Sequence, residues 1–533
     1  MKLNYAKTIE KWGIFEVTVS GPKEGNPFCD QWIKGTFCCK NEKKTVDGFY
    51  DGDGVYKVRF MPSFTDEYTF EIEASFDINM GEEVPEHKLG IADCGKEAEK
   101  YVVRNMLTGS FTVTSPSADN HGPVRVAGTY YLAYEDGTPY HCIGTTCYVW
   151  NLQNEELQKQ TLKTLEENAF NKIRFCIFPK HYDYNLHEPI TYPYEGTPCD
   201  SSVLNENNFA EYNGCAPGND WDFTRFNPAH FQHIEKCIQA LMKLGIEADL
   251  IVMHPYDRWG FSMMQAEDDD RYWKYVLARF SAYRNVWWSL ANEYDLMHEK
   301  TLSDWERYAG IICEKDPYHH LRSIHNCKAY YDYNLPWITH CSIQRTETYR
   351  SSELVNEWRE KYHKPVVLDE ICYEGNIQFG WGNISGEEMT RRFWEAFCRG
   401  GYPGHGETYL SPDRILWWSH GGVLHGTSPE RIKFLAKIMG ETPGLGVESM
   451  PCKWDEVACR AAGFPARKDY FIYYYSFMRP GFRDFYFDDT TEYQVEIIDT
   501  WEMTITDGGI HKGKFRVQLP GKEYMAVRLR VAK

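Results

Sequence analysis

Two short stretches of this 533-residue chain run apolar and then end abruptly in acids. VWWSLANEYD, residues 286–295, reads as a buried strand until Asn292, Glu293, Tyr294 and Asp295 arrive together. PVVLDEI, residues 365–371, repeats the pattern and is apolar until Asp369 and Glu370. Two carboxyl groups facing one cleft can divide acid–base labour. One, its pKa raised by burial or by its neighbour's negative charge, holds a proton near neutral pH; the other stays ionised and attacks. Either glutamate alone could be a buried ion-pair partner or a helix cap. A pair at matching strand ends points to chemistry.

Positioning them is the task of the segments between residues 126 and 445. Eight apolar runs lie there: residues 140–150, 171–178, 246–254, 286–293, 321–326, 337–344, 365–371 and 414–422. Helical patterns separate most of them. One begins at Asn227 as N-cap with Pro228 in first position, carries Phe231, Ile234, Ile238, Leu241 and Met242 on one face, and stops at Gly245. Eight apolar strands with crossovers describe an α/β fold, a (β/α)₈ TIM barrel whose site lies at the C-terminal ends of the strands. An open doubly wound sheet competes, but no G-x-G-x-x-G follows the first strand. In the barrel, Glu293 and Glu370 close the fourth and seventh strands across the mouth from each other. Such a pair is the equipment for breaking a glycosidic bond, with retention when the carboxyls are about 5–5.5 Å apart.

Flanking this region, residues 1–125 show short alternating strands such as EYTFEIEASF and read as a β-sandwich; residues 446–533 alternate again and form a small β-domain. The turn DGFYDGDGVY has Asp51, Asp53 and Gly54 in a calcium-loop order, but the later ligands are missing and a tight turn is the better reading. A net charge of −19 disfavours nucleic acid and anionic membranes as partners. Seventeen Trp and 37 Tyr suit a sugar, whose faces are part apolar and part hydroxyl, although most such rings fill the core. The N-terminal MKLNYAKTIEKWGIF has no signal-like apolar stretch, and the 17 cysteines show no zinc spacing, CIGTTC included. We therefore expect free thiols, a cytoplasmic protein, no metal and no cofactor.

LANE followed by VVLDE resembles the clan A glycoside hydrolases. In that clan the acid/base Glu follows Asn on strand four and the nucleophile Glu ends strand seven. The resemblance implies that Glu293 is the acid/base, Asn292 the contact to the sugar 2-hydroxyl and Glu370 the nucleophile. KWGIFEVTVSGPKEGNPF, GFYDGDGVYKVRFMP and the segment from GSFTVTSPSADN to CIGTTCYVW are similar to glycosidases that place a β-sandwich before an apiosidase-like barrel. That likeness covers nearly the whole chain.

Other site residues follow with the resemblance. Arg174, in IRFCIF on strand two, stands where the clan keeps an arginine beside the nucleophile. His254 closes strand three, and His325 with Asn326 closes strand five; the histidines are candidate sugar contacts. Trp418, or its neighbour Trp417, on strand eight is the candidate stacking platform; Trp150, Trp259 and Trp381 are looser candidates that read better as wall or core. The clan's tyrosine after strand six is missing: Gln344 occupies that strand end and Tyr349 lies further on. Either the donor to Glu370 is replaced or it comes from the loop. A long aromatic, acidic insertion, residues 180–226, would wall off the mouth and favour exo-cleavage. The expectation is a retaining exo-acting O-glycosidase acting on a small glycoside or oligosaccharide, with homo-oligomerisation left open. A transglycosidase with the same two glutamates and a non-catalytic carbohydrate-binding protein are the competing readings.

Overall fold

The structure is a computed structural model that describes residues 5–78, 105–182, 184, 189–202, 204–205 and 215–532. At its centre eight parallel strands form one sheet in the spatial order five, four, three, two, one, eight, seven, six. In chain order they are Gly144–Thr146, Lys172–Cys176, Glu247–Met253, Val286–Ala291, Arg322–Ser323, Cys341–Gln344, Val366–Glu370 and Tyr402–His405. A single bridge between His325 and Ser342 links the fifth strand to the sixth and nearly closes the barrel.

Alternation along the second strand shows how the barrel is filled. Ile173 and Phe175 point outward into the apolar layer under the helices. Lys172 and Arg174 point inward and are almost fully buried. The second strand thus brings two charged side chains into the barrel, where Lys172 and Arg174 meet Asp249, Asp369 and Glu370 beside apolar residues such as Trp287 and Ile251.

The helices obey their terminal signals. Pro228–Lys243 starts behind Asn227, whose side chain accepts from Ala229 N, and the chain reverses at Gly245 with φ 69°. Gly386–Cys398 is capped by Ser385, and Trp394 on it stacks on Tyr474 of the C-terminal domain. No helix among the described residues is long and apolar enough to cross a membrane.

One assignment is corrected. Residues 414–422 are not the eighth strand: Trp417–His420 is a short helical turn that ends at Gly421 and Gly422, both with positive φ. The strand is Tyr402–His405, in a glycine-rich stretch that reads as loop. Its Gly404 is there because the neighbouring backbone leaves no room; a Cβ would sit 2.8 Å from Leu368 O and 2.9 Å from Asp369 O.

Before the barrel, a five-stranded sheet and a three-stranded sheet enclose an aromatic core around Phe15, Phe37, Phe60 and Phe111. The turn at Asp51–Gly54 is a tight hairpin connection, and Asp51 is engaged by Lys57 at 2.8 Å and by Arg279 of a barrel helix at 2.7 Å. Arg59 reaches Glu235 of another barrel helix at 3.0 Å, so the sandwich is fastened by buried ion pairs. After the barrel comes a six-stranded antiparallel sheet with a two-stranded companion. Val527 and Leu529 are buried on one face of its strand Met525–Val531, while Arg528 pairs with Glu441 and Glu496. The insertion after the second strand lies partly outside the described residues. Its described part includes an antiparallel pair, Tyr194–Thr197 with Asp220–Phe226.

Candidate active site

Where the fourth strand ends, Asn292 N still donates to Met253 O, and the next residue turns sharply. Glu293 adopts the left-handed conformation, φ 50° and ψ 56°, a costly shape for a residue with a Cβ. The turn throws its carboxylate over the strand ends, where it is 6% exposed. Glu370, the last residue of the seventh strand, is 6% exposed as well.

Three groups converge on Glu370. The Tyr148 hydroxyl, from the segment after the first strand, donates to Oε1. Arg174 Nη1 lies 3.3 Å from the same oxygen, as does His325 Nε2. Burial alone would raise the pKa of Glu370, but the hydrogen bond and charge of His325, the guanidinium of Arg174 and the Tyr148 hydroxyl outweigh it and hold the carboxyl well below its usual range. His325 is itself fixed: Nδ1 sits 3.1 Å from Ser342 Oγ, and Nε2 is 3.1 Å from Gln344 Oε1.

Glu293 has a different shell. Tyr256 donates its hydroxyl to Oε2, Asn292 Nδ2 donates to the same oxygen at 3.1 Å, and Gln344 Nε2 donates to Oε1 at 3.0 Å. No cation pairs directly with it among the described residues. Burial, followed by the negative charge of Glu370, pushes its pKa up against these hydrogen bonds. The two carboxyls are thus driven in opposite directions, one toward the proton and one away from it. Asn292 connects them, its Oδ1 lying 3.2 Å from Arg174 Nη2 and 3.1 Å from the Tyr148 hydroxyl.

A salt-bridged floor supports this arrangement. Lys172 Nζ bonds Asp249 at 2.7 Å and Asp369 at 2.6 Å, and Ser342 Oγ donates to Asp369 Oδ2 at 2.5 Å. Because Asp369 precedes Glu370, anchoring it fixes the end of the seventh strand.

Around the mouth stands an aromatic wall of Tyr148, Tyr182, Tyr256, Tyr373, Trp381 and Trp418. Trp418 joins it from the helical turn, packed edge-on against Tyr148 with ring centroids 5.6 Å apart. Trp417 points the other way and donates Nε1 to Thr145 Oγ1. Tyr184 crosses from the second-strand insertion to donate to Gln378 Oε1, beyond the seventh strand, at 2.6 Å. Trp150 and Trp259 lie in the core. His254 is buried, neutral through burial that depresses its pKa to about 3, and its Nε2 faces Phe178 O at 3.4 Å.

The anticipated residues Arg174, Asn292, Glu293, His325, Gln344 and Glu370 therefore meet in one place. His254 faces the main chain instead of either glutamate. The donor to Glu370 is neither Gln344, which serves Glu293, nor Tyr349, which is 83% exposed. It is Tyr148. Sequence reasoning missed Tyr148 and Tyr256, although each lies within three residues of a strand end, the same signal that singled out the glutamates. Among the described residues one group has the make-up of a metal site, Glu374, His405 and Glu407. Its carboxylates already accept from the backbone N–H groups of His425, Gly426, Thr427 and Ser428, which makes them caps of the loop leading into the last barrel helix, Ser428–Gly440.

Eight parallel strands, with glutamates ending the fourth and seventh, define the fold as that of clan A glycoside hydrolases. The apiosidase-like catalytic domain family matches residues 127–426, and the chain belongs to that family. Two domains of unknown function match on either side, at residues 8–75 and 454–530. A candidate glycoside hydrolase from Bacteroides vulgatus is 36% identical, the match covering 99% of this chain and 100% of that one with a TM-score of 0.86. A glycoside hydrolase family 5 protein from Bacteroides vulgatus is 16% identical over 78% of this chain and 93% of its own, TM-score 0.58, and shares the fold. No curated protein matches the chain.

Proposed function

We propose that the protein is a retaining glycosidase that releases a terminal sugar from a small glycoside or oligosaccharide. The observation that carries this reading is the opposed treatment of two buried carboxyls at one mouth. Glu293, raised by burial and by Glu370, is suited to protonate the departing oxygen and then to activate water. Glu370, kept ionised by His325, Arg174 and Tyr148, is suited to attack the anomeric carbon and form the covalent sugar–enzyme intermediate. Asn292 is offered to the sugar 2-hydroxyl beside them, and Trp418 to the ring face. Exo-action is supported by the contact of Tyr184 with Gln378, which spans one side of the mouth. The free cysteines among the described residues fit a reducing, cytoplasmic setting.

The test is a pair of variants on a panel of aryl glycosides. Glu370→Ala and Glu293→Ala should each lose several orders of magnitude in kcat/KM. Added azide should restore turnover to Glu293→Ala and give the glycosyl azide with the substrate's configuration. Near-normal turnover by either variant would end the assignment.

A further inference from the structure

The barrel holds two buried lysines in opposite circumstances. Lys172 is paired with two aspartates. Lys180, four residues beyond the second strand and 2% exposed, forms no close ion pair and makes no hydrogen bond among the described residues. Its Nζ instead stands among aromatic rings: 3.6 Å from the centroid of Tyr148, 4.4 Å from Trp418, 4.6 Å from Tyr256 and 5.0 Å from Tyr182. Two of those rings are the phenols that hold Glu370 and Glu293. The ammonium therefore lies against the two phenols that hold the acids and against Trp418 of the wall.

Ring faces attract a cation but accept its N–H bonds only weakly, so they compensate only part of its lost hydration. A buried group left short of acceptors in a pocket is satisfied by what enters that pocket. We propose that Lys180 is the substrate-anchoring residue of this site, donating to an oxygen-bearing substituent, a carboxylate or a pair of hydroxyls, on the sugar held between Glu293 and Glu370. This rests on the glycosidase reading and adds what the sugar must present. The charged and titratable groups facing Lys180 are Glu293, Glu370, Arg174, Cys176 and His254, with the phenols of Tyr148, Tyr182 and Tyr256. Burial pushes its own pKa down to about 8, so the ammonium is present at neutral pH and is lost as pH rises through that value.

The test uses the full chain and begins with neutral hexosides, pentosides and uronides carrying a chromogenic leaving group. If the wild type cleaves none of them, or Glu370→Ala cleaves them equally, the glycosidase reading fails before Lys180 is examined. On a cleaved substrate, Lys180→Met should lose at least a hundredfold in kcat/KM, chiefly through KM. Its melting temperature should equal or exceed the wild type's, because the variant removes a poorly satisfied cation. Wild-type KM should rise as pH climbs through about 8, and that rise should vanish in Lys180→Met. If the sensitive substrate is a uronide the anchored group is the carboxylate; if it is a neutral glycoside, the hydroxyls. Lys180→Met with kcat/KM within threefold of wild type, a melting temperature that falls in step with activity, or a wild-type KM flat across pH 8 would each overturn the proposal.

Discussion

Tyr148, just beyond the first barrel strand, donates its hydroxyl to Glu370 at the end of the seventh. Fixing a phenol O–H on the carboxylate favours the ionised form, as a nucleophile requires. Tyr148→Phe removes that donor and leaves the ring in place. The pKa of Glu370 should rise, and the acid limb of the kcat/KM profile should move up by roughly one pH unit, the order of one charge-assisted hydrogen bond. The pH–rate profile of the variant checks this. An unmoved acid limb would remove Tyr148 from the site's electrostatics.

Tyr256 does the same for Glu293, where the consequence falls on the opposite side of the profile. Its hydroxyl and the Gln344 amide both lower a pKa that burial raises. In Tyr256→Phe or Gln344→Met the pKa of Glu293 should climb further. The alkaline limb should then extend to higher pH by about half a unit to one unit. Kinetics above neutrality measure it. A shift of the acid limb instead would mean that the two glutamates have been assigned the wrong way round.

The floor of the barrel is expected to be as costly to break as any apolar core. Lys172 is the common partner of Asp249 and Asp369, all nearly inaccessible. Lys172→Met takes from two buried carboxylates their closest cation, leaving only Arg174 at 3.8–3.9 Å, and should destabilise the fold by about 3 kcal/mol. Denaturant unfolding of Lys172→Met beside Lys180→Met makes the contrast direct, since the first should fall and the second should not.

Much of this was legible in the chain, and the failures have physical causes. Residues 286–293 and 365–371 disclosed both glutamates because a strand's apolar register breaks where it leaves the barrel. Trp417 and Trp418 misled because a short apolar run has no periodicity to separate strand from helical turn. The true eighth strand was hidden by Gly404, whose lack of a side chain is demanded by close backbone approach but reads as a loop signal. Tyr148, Tyr256 and Lys180 escaped because aromatic and basic residues after a strand are common and only the folded barrel shows which of them converge. Gln344 was found as the residue in the tyrosine's usual place; its donation to Glu293 depends on a rotamer that no sequence pattern records.

The sandwich should matter for stability more than for catalysis. Arg59 and Arg279 share Glu235 across the junction between the first sheets and the barrel helices. Glu235→Leu leaves two buried guanidiniums short of a partner and should lower the melting temperature by several degrees while leaving KM unchanged. A thermal melt alongside steady-state kinetics checks both halves.

If Glu370 is the nucleophile, it becomes covalently bonded to the sugar during turnover. Incubating the protein with a 2-deoxy-2-fluoro glycoside bearing a good leaving group should slow breakdown of the intermediate enough for intact-mass measurement and peptide mapping. A stoichiometric mass increase equal to the fluorosugar is expected, confined to the peptide carrying Glu370 and absent from Glu370→Gln. A label on any other residue, in a protein that hydrolyses the parent glycoside, would contradict it.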